Sequence, residues 1–162
     1  MTTTLPISAE ERNKLVRLCV DFLDGSWTKV KIDNIDCKRL VIGFGNKSYH
    51  CSIKNCNEYK TKVDEHEEVI VRVFESDIFS DKLSIKFSGE MVEPIVMERL
   101  SKVGISPKVL GVFNKGIIVE FIPSINATVE DLSSLELSKA VIRKIALFNS
   151  QNMPISKKPI LL

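Results

Sequence analysis

Histidine and tryptophan are scarce in this 162-residue chain, which holds two of the first and one of the second. The four cysteines, Cys19, Cys37, Cys51 and Cys56, stand 18, 14 and 5 positions apart. That spacing matches neither a zinc finger nor a redox Cys-x-x-Cys, and His50 and His66 are too few to complete a site, so no bound metal is expected. Charge of one sign is also missing. Twenty-three basic residues face 21 acidic ones, a net of +2, too balanced for a nucleic-acid binder or a polybasic membrane surface. No apolar run approaches the ~20 residues of a membrane span. Met1-Thr2-Thr3-Thr4 lacks the basic start and apolar block of a signal peptide, which points to a cytoplasmic protein with reduced thiols. What remains is ordinary: 44% hydrophobic and 27% charged residues, the composition of one globular domain. A chain of this length buries roughly two-thirds of its unfolded surface and needs no staple.

Ser8 and Glu11 have capping-box spacing, and Leu15, Leu18, Cys19 and Phe22 recur at helical intervals. A first helix is expected from about Ala9 to Asp24, stopped by Gly25, with Trp27 anchoring its exit. Leu40 to Phe44 and Ser48 to Ile53 are β-prone runs around Gly43, Gly45 and Asn46, a strand, glycine turn and strand. The acid-rich segment from Asn55 to Glu68 reads as a solvated loop, and Val69 to Phe74 as a buried strand. Met91, Ile95, Leu100 and Val103 suggest a helix closed by Gly104, with Pro94 confined to its first turn. Val109 to Phe113 and Ile117 to Phe121 flank Asn114-Lys115-Gly116 as a hairpin. Ser133 to Glu136 again has capping-box spacing, ahead of a last amphipathic helix through Leu137, Ala140, Val141, Ile145 and Phe148. The expected class is α+β, an antiparallel sheet of about five strands with flanking helices.

Chemistry concentrates at three points. Gly43-Phe44-Gly45-Asn46 can bend over a phosphate, because glycines leave backbone N–H groups free to face an anion; it can equally be a plain hairpin turn. Arg72 interrupts the most apolar strand, where a cation is costly unless paired; an edge position with its head in water is the other reading. Glu93 opens the next helix, as a partner for Arg72 or as an acid favoured by the helix dipole. Glycine turn, strand cation, helix glutamate and hairpin, in that order, are the parts of a protein-kinase-like N-terminal lobe. There the glycine loop covers the phosphates, the cation contacts them, and the acid holds the cation.

Five blocks carry a narrower resemblance. They are Phe22 to Trp27, Val69 to Phe74, Ser106 to Phe113, Glu120 to Ser124 and Met153 to Pro159. Together, over roughly residues 15 to 162, the chain resembles the choline/ethanolamine kinase family. The resemblance implies an ATP- and Mg²⁺-dependent kinase that phosphorylates the hydroxyl of choline or ethanolamine on the way to phosphatidylcholine or phosphatidylethanolamine. Residues 1–162 then form one nucleotide-binding lobe. The family's phosphate loop falls on Val41 to Lys47, bringing in Gly43, Phe44, Gly45, Asn46 and Lys47. Its ATP-contacting arginine falls on Arg72 and its helix glutamate on Glu93. The adenine-side hinge falls on Glu120 to Asn126, led by Glu120, Phe121 and Ile122.

Two departures qualify that picture. Val41 and Ile42 replace the loop's usual arginine and first glycine, Gly45 stands at its serine, and Ile125-Asn126 replace two basic hinge residues. Positive charge is thereby lost from the nucleotide side. The family's His-x-Asp-x-x-x-x-Asn loop and Asp-Phe-Glu segment, which supply the hydroxyl-orienting aspartate and the metal ligands, do not occur among these residues. No catalytic residue is therefore expected within the chain, and choline or ethanolamine would bind only with a C-terminal lobe. Two readings follow. One is the N-terminal part of such a kinase, its apolar Ile160-Leu161-Leu162 end reading as an interrupted interior; the other is a noncatalytic kinase-like module that binds a protein, a second copy or a full-length relative.

Overall fold

In the computed structural model the described residues are 4–41, 46–55, 58, 65–74, 89–125 and 127–154. Strand β1 (Thr4–Leu5) precedes helix α1 (Ala9–Phe22); β2 (Ile35–Leu40), β3 (Asn46–Ile53) and β4 (Glu68–Phe74) follow, then helix α2 (Gly89–Ser101). The hairpin β5 (Val109–Phe113) and β6 (Gly116–Glu120) leads to α3 (Val129–Leu132) and α4 (Leu135–Asn149). The strands form one antiparallel sheet in the order β1-β2-β3-β4-β6-β5. This is the α+β class read from the sequence, with six strands where about five were expected; the extra one is the two-residue β1.

Strand alternation divides the core between the two sheet faces. Tyr49, Cys51 and Ile53 of β3, Val69 and Val71 of β4 and Ile118 of β6 pack under Leu15, Val16 and Cys19 of α1. Ile117 and Val119 of β6 and Phe74 of β4 turn the other way, toward Ile70, Met97 of α2 and Val109. Each such buried side chain contributes roughly 1.5–3 kcal/mol relative to exposure.

Several boundaries move for identifiable reasons. Strand β2 ends at Leu40 instead of beginning there, because Ile35 and Cys37 supply its buried alternation. Glu11 lends its backbone N–H to the Ser8 cap, but its carboxylate accepts from Tyr49 Oη at 2.5 Å, a long-range bond in place of the second half of the box. The cap of α4 is Ser134 rather than Ser133, and the full capping box lies at Thr128 and Asp131 of α3. Pro94 sits beyond the first turn of α2, inside the helix. The loop before β4 is not simply solvated. Glu65 accepts from Ser26 N at 3.1 Å and from Ser26 Oγ, and Trp27 Nε1 donates to the His66 carbonyl at 2.7 Å. That cover, with Gly25 at φ +67°, fixes the exit from α1.

The end of α2 follows its sequence signal closely. Gly104 adopts φ +68° and donates to Ser101 O, while Ile105 donates to Leu100 O, the paired bonds of a Schellman cap. Lys144 Nζ of α4 donates to the Gly104 carbonyl at 3.0 Å, tying the last helix to this corner.

Candidate functional site

A cleft of about 670 Å³ opens on the α2 side of the sheet. Its floor is the alternate set of strand positions: Asn46, Ser48 and His50 from β3, Ile70 and Arg72 from β4, and Val119 from β6. Glu120, Phe121, Ile122 and Ser124 form one wall. The sheet thus uses one face for its larger core and reserves the other for a concave surface of mixed polarity.

Arg72 lies on an interior strand, flanked by β3 and β6, not at a sheet edge. It is one strand beyond the strand that follows the glycine turn, in register with Ser48 and Ile117. Its Nη1 meets Glu93 Oε1 at 2.5 Å and Met97 Sδ at 3.8 Å. The side chains are 29% and 33% exposed, so the pair is neither solvated nor sealed. Glu93 stands inside α2 rather than at its start, so pairing and not the helix dipole accounts for its position.

Gly116 makes this approach possible. A Cβ there would collide with Arg72 O and the Phe113 ring, so only glycine lets β6 lie against β4 beside the arginine.

On the hinge side, Glu120 N donates to Lys108 O at 3.0 Å, and Glu120 Oε1 accepts from Lys108 N at 2.9 Å. Phe121 N donates to Glu68 O at 3.4 Å. These bonds commit the Glu120 and Phe121 donors to the fold. Ile122, the next residue along the chain, lines the same wall of the cleft.

His50 is the participant that sequence reasoning missed. Its Nε2 lies 2.6 Å from Glu68 Oε2, and its ring lies 4.6 Å from that of Phe121. It therefore pins the hinge aromatic to the cleft floor. Period-two alternation from Ser48 places it on that face, a signal separate from the metal-ligand spacing by which the sequence reading weighed it.

Of the other expected site residues, Asn46 lines the cleft, whereas alternation carries Lys47 toward the opposite face. Gly43, Phe44 and Gly45 lie outside the described residues, as does Asn126 at the hinge end. Mg²⁺ finds no fit here: among the described residues no group of three or more His, Cys, Asp or Glu side chains could hold a metal ion. No helix among them is long and apolar enough to cross a membrane.

Comparison with known proteins gives this geometry its context. Residues 37–162 match the family profile of choline/ethanolamine kinase. The chain is 25% identical over 150 residues to choline kinase A2 of Caenorhabditis elegans, covering 93% of this chain and 33% of that protein. It is 24% identical over 154 residues to the Homo sapiens choline/ethanolamine kinase, covering 94% of this chain and 37% of the other. A crystal structure of choline kinase from Cryptosporidium parvum superposes with a TM-score of 0.65 at 22% identity, over 90% of this chain and 37% of that one. The protein-kinase-like fold agrees with that likeness. The chain spans a third or slightly more of the length of these relatives. A profile matching most of its residues places the chain in the choline/ethanolamine kinase family.

Proposed function

We propose that these residues are the nucleotide-binding lobe of an ATP-dependent kinase acting on the hydroxyl of choline or ethanolamine, a step that supplies phospholipid headgroups. The observation that carries this reading is the Arg72–Glu93 pair on the floor of a cleft walled by Glu120 to Ser124. A cation fixed by a helix carboxylate beside the hinge wall suits a triphosphate at one end and a base at the other. Asn46 and Ser48 add short polar side chains at the Arg72 end, Ser48 directly opposite Arg72 in the strand register.

Within this reading Arg72 binds and orients phosphate oxygens, Glu93 holds Arg72 in place, and Ile122 N–H meets the base. His50, bonded to Glu68 and packed near Phe121, holds that wall in place. Groups that orient the substrate hydroxyl and bind Mg²⁺ must come from outside these residues, so the 162-residue chain alone is inactive and choline does not bind to it. The test is thermal unfolding with ATP, ADP and choline in turn. ATP and ADP raise the midpoint, choline does not, and Arg72→Met removes the nucleotide effect, each shift being read against that variant's own unliganded midpoint because the substitution also leaves Glu93 unpaired. Stabilisation by choline alone, or an ATP effect undiminished in the variant, overturns the reading.

A second reading rests on α4. Its exposed residues include Val141, Ile142, Ile145 and Phe148, an apolar face on an amphipathic helix. A face of that kind suits a noncatalytic module that associates with a second copy or a full-length relative. Concentration-dependent association without any nucleotide effect would favour it over the first.

A further inference from the structure

Three thiols meet beneath α1. Cys37 of β2 and Cys51 of β3 are directly opposite in the strand register, and Cys19 of α1 belongs to the same buried cluster. Cys51 hydrogen-bonds to both of the others, and all three are free. Among the described residues no group of three or more His, Cys, Asp or Glu side chains could hold a metal ion.

The two strand thiols are unequal. Cys51 is fully enclosed, whereas Cys37 retains 7% exposure. Arg12 stands beside Cys37, its Nη2 donating to the carbonyls of Ile32 and Ile35 at 2.7 and 2.8 Å. The hydrogen bond from Cys51, and after it the Arg12 charge, hold the Cys37 thiol below its ordinary range despite burial and the nearby Asp36. Hydrogen bonds with Cys19 and Cys37, and then burial, push Cys51 far upward. Of the pair, Cys37 is therefore the more readily ionised thiol and Cys51 the less.

We propose that Cys37 and Cys51 form a peroxide-oxidisable pair that closes to a disulfide across the β2–β3 hairpin. The oxidant is a small hydroperoxide, hydrogen peroxide being the simplest. The Cys37 thiolate attacks one peroxide oxygen; the O–O bond breaks, an S–O bond forms, and hydroxide leaves. Cys51 sulfur then displaces the hydroxyl of the Cys37 sulfenic acid, forming the S–S bond, and the Cys51 proton departs with that hydroxyl as water. Two thiols and one peroxide give one disulfide and two waters once the hydroxide takes up the first thiol's proton. Because β2 ends at Leu40 and β3 begins at Asn46, the bond would tie together the arms of the hairpin that carries Asn46 and Ser48 into the cleft. The proposal does not depend on what the cleft binds.

The experiment treats the 162-residue protein with hydrogen peroxide, blocks remaining thiols under denaturing conditions, and maps the peptides by mass. The expected product is a dithiothreitol-reversible cross-link between the peptides bearing Cys37 and Cys51, formed equally in Cys19→Ser. Cys51→Ser should instead leave a Cys37 sulfenic acid that dimedone traps. Should that variant fail to fold, the wild-type map decides alone. Cys37 and Cys51 both recovered as blocked thiols, or a cross-link of either to Cys56, overturns the proposal.

Discussion

Arg72 illustrates how much one residue's surroundings decide. In the sequence it is a cation among β-branched neighbours; in the fold it occupies an interior strand with Glu93 at 2.5 Å. Removing the carboxylate leaves a partly buried charge unpaired, so Glu93→Ala should cost about 1 kcal/mol, between the values for exposed and buried pairs. Urea unfolding followed by circular dichroism measures it, and a variant as stable as wild type would show the pair to be ornamental. Trp27 is the sole tryptophan and only 3% exposed. Trp27→Phe strands the His66 carbonyl and opens space beside it, a loss of about 1–3 kcal/mol on the same urea curve.

Acid sensitivity also starts at single residues. Lys38, by hydrogen bond and then by charge, holds the Asp36 carboxyl below its usual 3.8, with Lys54 and His50 assisting. A folded-state value below the unfolded one means the contribution is present above about pH 3.8 and disappears as pH falls through the folded value. Asp36→Asn should therefore flatten the acid limb of a stability–pH profile below that point. An unchanged limb would place the acid sensitivity elsewhere.

Elements show why some of the molecule was legible in advance. Gly104 stopping α2, the Asn114-Lys115 turn of the β5–β6 hairpin and the buried run of β4 are local signals, each satisfied within a few residues, and the fold follows them. What the chain does over long range was not legible. Glu11 leaves its own cap for Tyr49, Glu65 reaches back to Ser26, and His50 meets Phe121 from 71 positions away. Those partners share no spacing rule. β1 escaped notice because a strand of two residues, Thr4–Leu5, has no period to detect. At the site, the order of Arg72, Glu93 and the hinge was readable because kinase-like lobes keep their parts in sequence. The commitment of the Glu120 and Phe121 N–H groups to Lys108 and Glu68 was not. Gly116 gives the element scale its prediction. Gly116→Ala must push β6 from β4 beside Arg72, costing about 1–3 kcal/mol by overcrowding. A fully stable Gly116→Ala with intact nucleotide response would mean that the close approach of these strands is not needed.

Across the whole molecule, the proposed function makes the cleft one side of a nucleotide site. Arg72, Glu120 to Ile122 and the short polar residues of β3 line it, no arginine occurs among Val41 to Lys47, and the described residues hold no group fit for a metal ion. Such a half-site should bind ATP with a Kd no tighter than about 1 mM, worth roughly 4 kcal/mol. ATP at about ten times that Kd would add only about 1.4 kcal/mol to stability. The exposed α4 face meanwhile favours association, and Ile145→Glu should reduce light scattering without lowering the unfolding midpoint. The most direct test of the central claim is calorimetric titration of the wild-type chain and Arg72→Met with MgATP, side by side. Millimolar binding by the wild type that vanishes in the variant is the predicted result; micromolar binding, or binding that survives loss of the guanidinium, would contradict it.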